Sequence, residues 1–331
     1  MDINALASTI KDIATPRKGI LAADESTGTI KKRFDSINVE STEENRRAYR
    51  ELLFATPELE KYISGVILFE ETLGQKTADG TPFPEFLAKK GIVPGIKVDK
   101  GLIPSESSPE EKVTQGLDGL PERLAEYKKM GARFAKWRVV FDISDTHPSR
   151  IIIKTNACLL ARYAAICQNQ GIVPIVEPEI LMDGNHSLED CSIVTEKVLH
   201  AVFNALFKHK VALEFIILKP NMVIAGKDCN PQPSIEEAAK ETVKILRRTV
   251  PAAVPTINFL SGGQSDEVAT QHLNAINKIG KQPWYISFSY GRALQAPCLQ
   301  AWQGKKENVE AAQKILLKRS ELNGAAALGE C

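Results

Sequence analysis

Eight short apolar runs, each stopping at polar or charged residues, constrain this chain more than any other feature. They are GILAADES (19–26), SGVILFEET (64–72), VPGIKVDKG (93–101), RFAKWRVVFD (133–142), GIVPIVEPE (171–179), EFIILKPNM (214–222), VPTINFLSGG (254–263) and WYISFSYGR (284–292). Successive runs start mostly about 30 to 45 residues apart, which leaves room for a crossover helix between parallel strands. Helical patterns fill several of the gaps. Residues 187–209 open on Ser187 and Asp190 and carry Val194, Val198, Val202 and Leu206 in a four-residue rhythm. Residues 234–249 begin with Ser234 and Glu237, spaced as a capping box, and continue with Val243, Ile245 and Leu246. Residues 41–54 begin the same way with Ser41 and Glu44, then carry Tyr49, Leu52 and Leu53; 150–168 and 265–279 also read as helices. Strand–helix alternation predicts a parallel sheet, and eight strands predict a closed (β/α)8 TIM barrel.

An open dinucleotide-binding sheet is the main competitor, but no G-x-G-x-x-G turn follows the first run. No Pro- or Ser-rich linker divides the chain. The expectation is one domain over 1–331, with an added N-terminal helix and a C-terminal extension whose tail runs from about 322 to 331. Ile3, Leu6, Ile10 and Ile13 recur at helical spacing in MDINALASTIKDIATP, a stretch with no basic leader region. A cytoplasmic location is expected. The 331 residues are 43% hydrophobic and 25% charged, with a net charge of +1. That balance gives no general attraction to nucleic acid or to an anionic membrane, so a small-molecule partner is expected. No apolar run approaches the roughly 18 residues needed to cross a bilayer. The six cysteines form no C-x-x-C pair and are expected to be free thiols, several of them buried.

Function in such barrels sits at the C-terminal ends of the strands. Here those ends carry Asp24 and Glu25, Lys97, Lys136 and Arg138, Glu177 and Glu179, and Lys219. In AKWRVV, alternation puts Lys136 and Arg138 on one face and Trp137 and Val139 on the other. If Val139 packs on the helices, both cations point into the barrel. One charged residue at a strand end needs no explanation beyond solvation. The whole set does, because barrel closure makes the ends converge in one pocket. A lysine kept beside other cations in a half-dry pocket is expected to have a lowered pKa. Its free amine could attack a ketone and form a Schiff base, an electron sink for breaking a neighbouring C–C bond. On chemistry alone Lys97, Lys136 and Lys219 remain equal candidates, beside phosphate binding or a structural ion pair.

The last two strands point to phosphate. Ser261-Gly262-Gly263 and Ser289 with Gly291-Arg292 offer backbone N–H groups and a guanidinium. Ser26, Thr29 and Arg33, just after the first strand, offer a second anion site. Two phosphate sites around a Schiff-base lysine imply a bisphosphorylated sugar. LSGGQ (260–264) also matches a transporter ATPase signature, but that motif works beside a P-loop and no G-x-x-x-x-G-K-[ST] occurs here. The five histidines show neither H-x-H nor H-E-x-x-H spacing, so no metal site is expected.

LAADESTGTIKKR, TEENRRAYRELLF, GVILFEETLGQK, GIKVDKG, AKWRVV, VEPEIL, LKPNMV, FLSGGQS and SYGRALQ together resemble class I fructose-1,6-bisphosphate aldolase, in order, from about residue 5 to 320. The resemblance implies a (β/α)8 homotetramer that uses no metal or other cofactor. It also implies reversible cleavage of fructose 1,6-bisphosphate in glycolysis and gluconeogenesis. It picks Lys219 as the Schiff-base lysine, Glu177 as the general acid/base, Asp24 as a carboxylate acting in C–C cleavage and Lys136 as the lysine beside the Schiff base. Glu179 falls in the supporting charge network. Ser261, Gly262, Gly263, Ser289, Gly291 and Arg292 match the site of the ketose-end phosphate. Ser26, Thr29, Lys97 and Arg33 match residues that meet the substrate or its other phosphate, and Arg46 and Arg138 carry over more weakly. Thr29 stands where many relatives have serine. Many relatives also end in a tyrosine used in proton exchange at the enamine carbon. This sequence ends GAAALGEC with no tyrosine after Tyr290, so Schiff-base formation and cleavage are expected to survive, with product protonation the step in doubt. Two rivals stay open: a sugar-phosphate transaldolase with the same lysine chemistry, and a binding or scaffold protein on this fold.

Overall fold

The computed structural model describes residues 1–331. Eight parallel strands close into a barrel: β1 (Gly19–Ala23), β2 (Ile63–Leu68), β3 (Val93–Lys97), β6 (Phe134–Phe141), β7 (Val173–Ile180), β8 (Ile217–Leu218), β9 (Thr256–Phe259) and β10 (Tyr285–Tyr290). Each is hydrogen-bonded to its neighbours in chain order, and β1 pairs with β10 to seal the ring. An antiparallel hairpin, β4 (Leu102–Ser105) and β5 (Ser108–Thr114), is inserted between β3 and β6. The eight expected strands and the closed barrel are therefore present.

Alternation along each strand sorts its residues into two cores. Outward residues meet the helices: Trp137 stacks on Tyr163 of helix Arg150–Asn169, with ring centroids 5.5 Å apart. Inward residues near the strand starts form a separate apolar cluster of Ile20, Ile67, Val93, Phe134, Val173, Ile175 and Ile217. Gly65 and Gly95 make room for it, since a Cβ at Gly95 would lie 2.3 Å from the Phe134 ring. The helix Ile3–Ile13 closes this end by adding Leu6, Ile10 and Ile13 to the cluster. Asp2 caps it by accepting from the Ala5 N–H at 3.1 Å. Burying a Leu or Ile side chain there contributes about 1.5–3 kcal/mol each.

The helix boundaries expected at Ser187 and Ser234 form with full capping boxes. The one expected at Ser41 does not. Thr42 is the cap, accepting from the Asn45 N–H at 3.1 Å, while the Ser41 carbonyl accepts from Arg46 Nη1 at 2.6 Å. The arginine competes for Ser41, and Glu44 turns to Arg47. The sixth apolar run also shortens. Leu213–Phe215 forms a 3-10 turn and leaves only Ile217 and Leu218 in β8. The C-terminal extension consists of helices Arg292–Trp302 and Val309–Ala326, the latter tied by Arg319 to Thr270 at 2.7 Å.

Candidate active site

The parallel register sets the strand-end charges side by side. Lys97 of β3 is level with Lys136 of β6, and Arg138 with Glu177 of β7. Lys219 follows β8 directly, its N–H donating to the Val176 carbonyl at 2.8 Å. Above the apolar layer these side chains line a cleft of about 540 Å³. A larger groove of about 980 Å³ lies beside the N-terminal helix, but holds none of the converging strand-end charges.

Inside the cleft Lys136 Nζ sits 2.8 Å from Asp24 Oδ2 and 3.4 Å from Glu177 Oε2, and Lys219 Nζ sits 3.1 Å from Glu177 Oε1. Glu177 thus lies between two lysine nitrogens. Its Oε2 feels the Lys136 charge but lies outside hydrogen-bond geometry and has no hydrogen-bond partner. Lys97 is held elsewhere, donating to Asp99 Oδ1 at 2.6 Å and to the Asp99 carbonyl at 2.9 Å. Arg138 pairs with Glu179.

The balance of charge corrects one expectation. Burial works against the Lys136 ammonium, but Asp24, Glu177 and Asp99 outweigh it and hold the pKa well above the ordinary lysine value. Burial likewise pushes Asp24 up, but Lys136, Lys219 and Lys97 outweigh it and hold the carboxyl well below the usual carboxylate range. Lys136 is therefore a fixed cation and Asp24 a fixed anion at neutral pH. Neighbouring carboxylates, not neighbouring cations, dominate at Lys136.

Two corners that offer hydrogen-bond donors and guanidinium groups flank these groups. In the first, helix Arg292–Trp302 starts at Gly291, so its free N–H groups and the Arg292 guanidinium face the cleft. Ser289 Oγ is buried there without a hydrogen-bond partner. The Ser261–Gln264 turn completes the corner. Its Gly262 and Gly263 have φ of +54° and +92°, left-handed values that favour glycine. A Cβ at Gly263 would lie 3.1 Å from Met182 Sδ and 3.4 Å from Arg292 Nη2. In the second corner, Ser26 precedes helix Thr27–Asp35, its carbonyl accepting from the Ile30 N–H at 2.9 Å; its Oγ caps no helix N–H and lies 3.2 Å from Thr29 Oγ1. Arg33 reaches back from that helix to Glu25.

Of the candidate residues, Asp24, Ser26, Thr29, Arg33, Lys97, Lys136, Arg138, Glu177, Glu179, Lys219, Ser261, Gly262, Ser289, Gly291 and Arg292 line this one cleft. Gly263 lies one residue beyond the lining. Arg46 is not among the lining residues: its guanidinium grips Glu71 at 2.6 and 2.7 Å. The sequence reading missed the layer beneath the second corner. Buried Glu25 accepts from Arg50 Nη1 at 2.6 Å and from Gln295 Nε2 at 3.0 Å as well as from Arg33. Its one legible signal was a second carboxylate beside Asp24. No three His, Cys, Asp or Glu side chains are grouped to hold a metal ion.

The chain is similar to known proteins over nearly its whole length. The profile of the family described as fructose-bisphosphate aldolase class-I matches residues 5–331. The cytosolic fructose-bisphosphate aldolase 4 of Arabidopsis thaliana is 59% identical, over 96% of this chain and 81% of its own. Fructose-bisphosphate aldolase C of Carassius auratus is also 59% identical, over 96% of this chain and 88% of its own. Among solved structures, a fructose-bisphosphate aldolase of Plasmodium falciparum, determined with TRAP and a small-molecule inhibitor, superposes with a TM-score of 0.98. It is 56% identical and the match covers 99% of this chain and 95% of that one.

Proposed function

The chain belongs to the class I fructose-bisphosphate aldolase family, and from that premise we propose how its residues divide the work. The reaction is the reversible cleavage of fructose 1,6-bisphosphate to dihydroxyacetone phosphate and glyceraldehyde 3-phosphate, a step of glycolysis.

Lys219, as the free amine, attacks C2 of the open-chain ketose to give a carbinolamine. Glu177, in its acid form, protonates the departing hydroxyl, and water leaves the iminium behind. Glu177, now a carboxylate, takes the C4 hydroxyl proton. The C3–C4 bond breaks, its electrons pass to the iminium, and glyceraldehyde 3-phosphate departs from the enamine. Protonation at C3 and addition of water then release dihydroxyacetone phosphate and restore Lys219. The iminium is the electron sink, so the carbonyl needs no Lewis acid.

One observation carries this assignment. Glu177 contacts Lys219 at 3.1 Å and keeps a buried oxygen free of any hydrogen bond. It can reach the nucleophile and still accept a new proton. Asp24 is a weaker base, because three lysines hold it ionised; its part is to keep Lys136 charged and in place. Lys136 and Lys97 are less apt nucleophiles, each in short contact with a carboxylate, at 2.8 and 2.6 Å. The Arg292 corner receives the ketose-end phosphate and the Ser26–Arg33 corner the other.

We further infer a homotetramer in the cytoplasm. The Arabidopsis relative, a cytosolic enzyme, supports the compartment. Helix Leu188–Lys208 supports self-association: Ile193 and Phe207 are 43% and 82% exposed, and they share a face about four turns apart. Sedimentation should give four times the chain mass; a monomer would remove that inference.

A cleavage assay tests the chemistry. Fructose 1,6-bisphosphate should be cleaved in the presence of EDTA, and fructose 1-phosphate should be used with a lower kcat/KM. Strong inhibition by the chelator, or equal use of both sugars, would overturn the reading.

A further inference from the structure

The Ser261–Gln264 turn is held by a second layer with no partner role in the chemistry above. Its end is fixed twice by backbone: the Gln264 N–H donates to the Ser261 carbonyl at 3.0 Å, and the Leu260 N–H donates to the Pro220 carbonyl at 3.1 Å. The Gln264 side chain adds two anchors. Its Nε2 faces Met222 Sδ at 3.7 Å, three residues past Lys219, and its Oε1 lies 2.6 Å from His272 Nδ1. His272 is buried, only 7% exposed, on helix Asp266–Lys278. Burial pushes its pKa down to about 4, so the ring is neutral in the working range and carries a single N–H. A carboxamide oxygen at Nδ1 selects the tautomer with the hydrogen there. His272 is not among the residues that line the cleft.

We propose that His272 is a positioning residue for phosphate binding: by donating its Nδ1–H to Gln264 Oε1, it keeps the Ser261–Gln264 turn preformed beside Arg292. This rests on reading that corner as a phosphate site. The turn needs such a tether because Gly262 and Gly263 give its backbone wide conformational freedom. A preformed turn presents its N–H groups without an ordering cost at each binding event. A contact that serves ground state and transition state alike moves KM and leaves kcat in place.

The test compares His272→Leu, which fills the ring's volume without a donor, with His272→Asn, whose amide can place an N–H where Nδ1–H stood. Both are assayed on fructose 1,6-bisphosphate beside Gln264→Leu, which removes the acceptor and keeps His272, and Arg292→Ala, which probes the corner directly. His272→Leu and Gln264→Leu should raise KM about 3- to 10-fold, the scale of one lost hydrogen bond, with kcat changed less than about twofold. His272→Asn should restore most of the KM. Should His272→Leu fail to fold, the Gln264→Leu result decides alone. Unchanged KM in both leucine variants while Arg292→Ala raises it would overturn the role of His272 and leave the phosphate site standing. So would a KM that asparagine does not restore, or a loss confined to kcat. An unchanged KM in Arg292→Ala would remove the phosphate reading itself.

Discussion

The two ends of the barrel interior are built by the same rule and do opposite things. At the strand starts the inward positions are Ile20, Val93, Phe134, Val173 and Ile217, sealed by the N-terminal helix. Two positions further along the same strands, alternation brings Lys136 above Phe134, Glu177 above Ile175 and Lys219 above Ile217. One end is dry and filled; the other holds buried charges that tolerate burial only because they pair. The comparison teaches a division of labour along single strands: the floor supplies stability, and the mouth uses part of it to hold ionised groups where chemistry needs them.

That division can be broken from either side. The largest effect should come from Lys219→Met, which keeps the side chain's length and removes the amine. Cleavage should fall by at least about 10⁴-fold, while thermal unfolding shows a folded barrel, since Glu177 still has Lys136 at 3.4 Å. Glu177→Gln comes next, with turnover reduced about 10²- to 10⁴-fold. A loss of fold in either variant would mean that the mouth carries stability as well.

The floor should respond in reverse. Ile13→Ala opens a cavity under the buried Phe134 layer and should cost about 2–5 kcal/mol in denaturant unfolding. The kcat of the remaining folded enzyme should stay within about twofold of wild type; a fall comparable with that of Glu177→Gln would show that the two ends are not separable.

Asp24→Asn sharpens the boundary between them. The folded pKa of Asp24 lies below its ordinary value of about 3.9. Its ion pair with Lys136 is therefore fully stabilising above that value, and is lost only as pH falls through the lower, folded pKa. Chemical denaturation should show wild type ahead of Asp24→Asn by about 1–3 kcal/mol near neutral pH. The gap should hold down to about pH 5, narrow below about pH 4, and close only as pH falls through the lower, folded pKa. A gap that already closes between pH 5 and 7 would contradict Asp24 as a fixed anion.

Much of this was legible in the sequence because the barrel's period is local. Apolar runs, strand alternation and the Ser187 and Ser234 caps are read within ten residues. The facing of Lys136 and Arg138 into the barrel follows from Trp137 and Val139 packing outward. What could not be read depends on contacts between distant segments. Glu25 and Gln295 meet across almost the whole chain, so the layer under Arg33 leaves no local trace. The capping role expected at Ser41 falls to Thr42, while Arg46 holds the Ser41 carbonyl, a contact that spacing does not reveal. The expected lowering of a lysine pKa failed at Lys136 because strand register, invisible in one sequence, set Asp24 and Glu177 against it. The hairpin Leu102–Thr114 was missed because it is short, largely exposed and outside the barrel's rhythm.

Reductive trapping tests the central claim most directly. Incubation with fructose 1,6-bisphosphate and borohydride, followed by peptide mapping, should place one stable secondary-amine adduct on Lys219 and none in Lys219→Met. An adduct on Lys97 or Lys136, or no adduct in an enzyme that still cleaves the sugar, would contradict it.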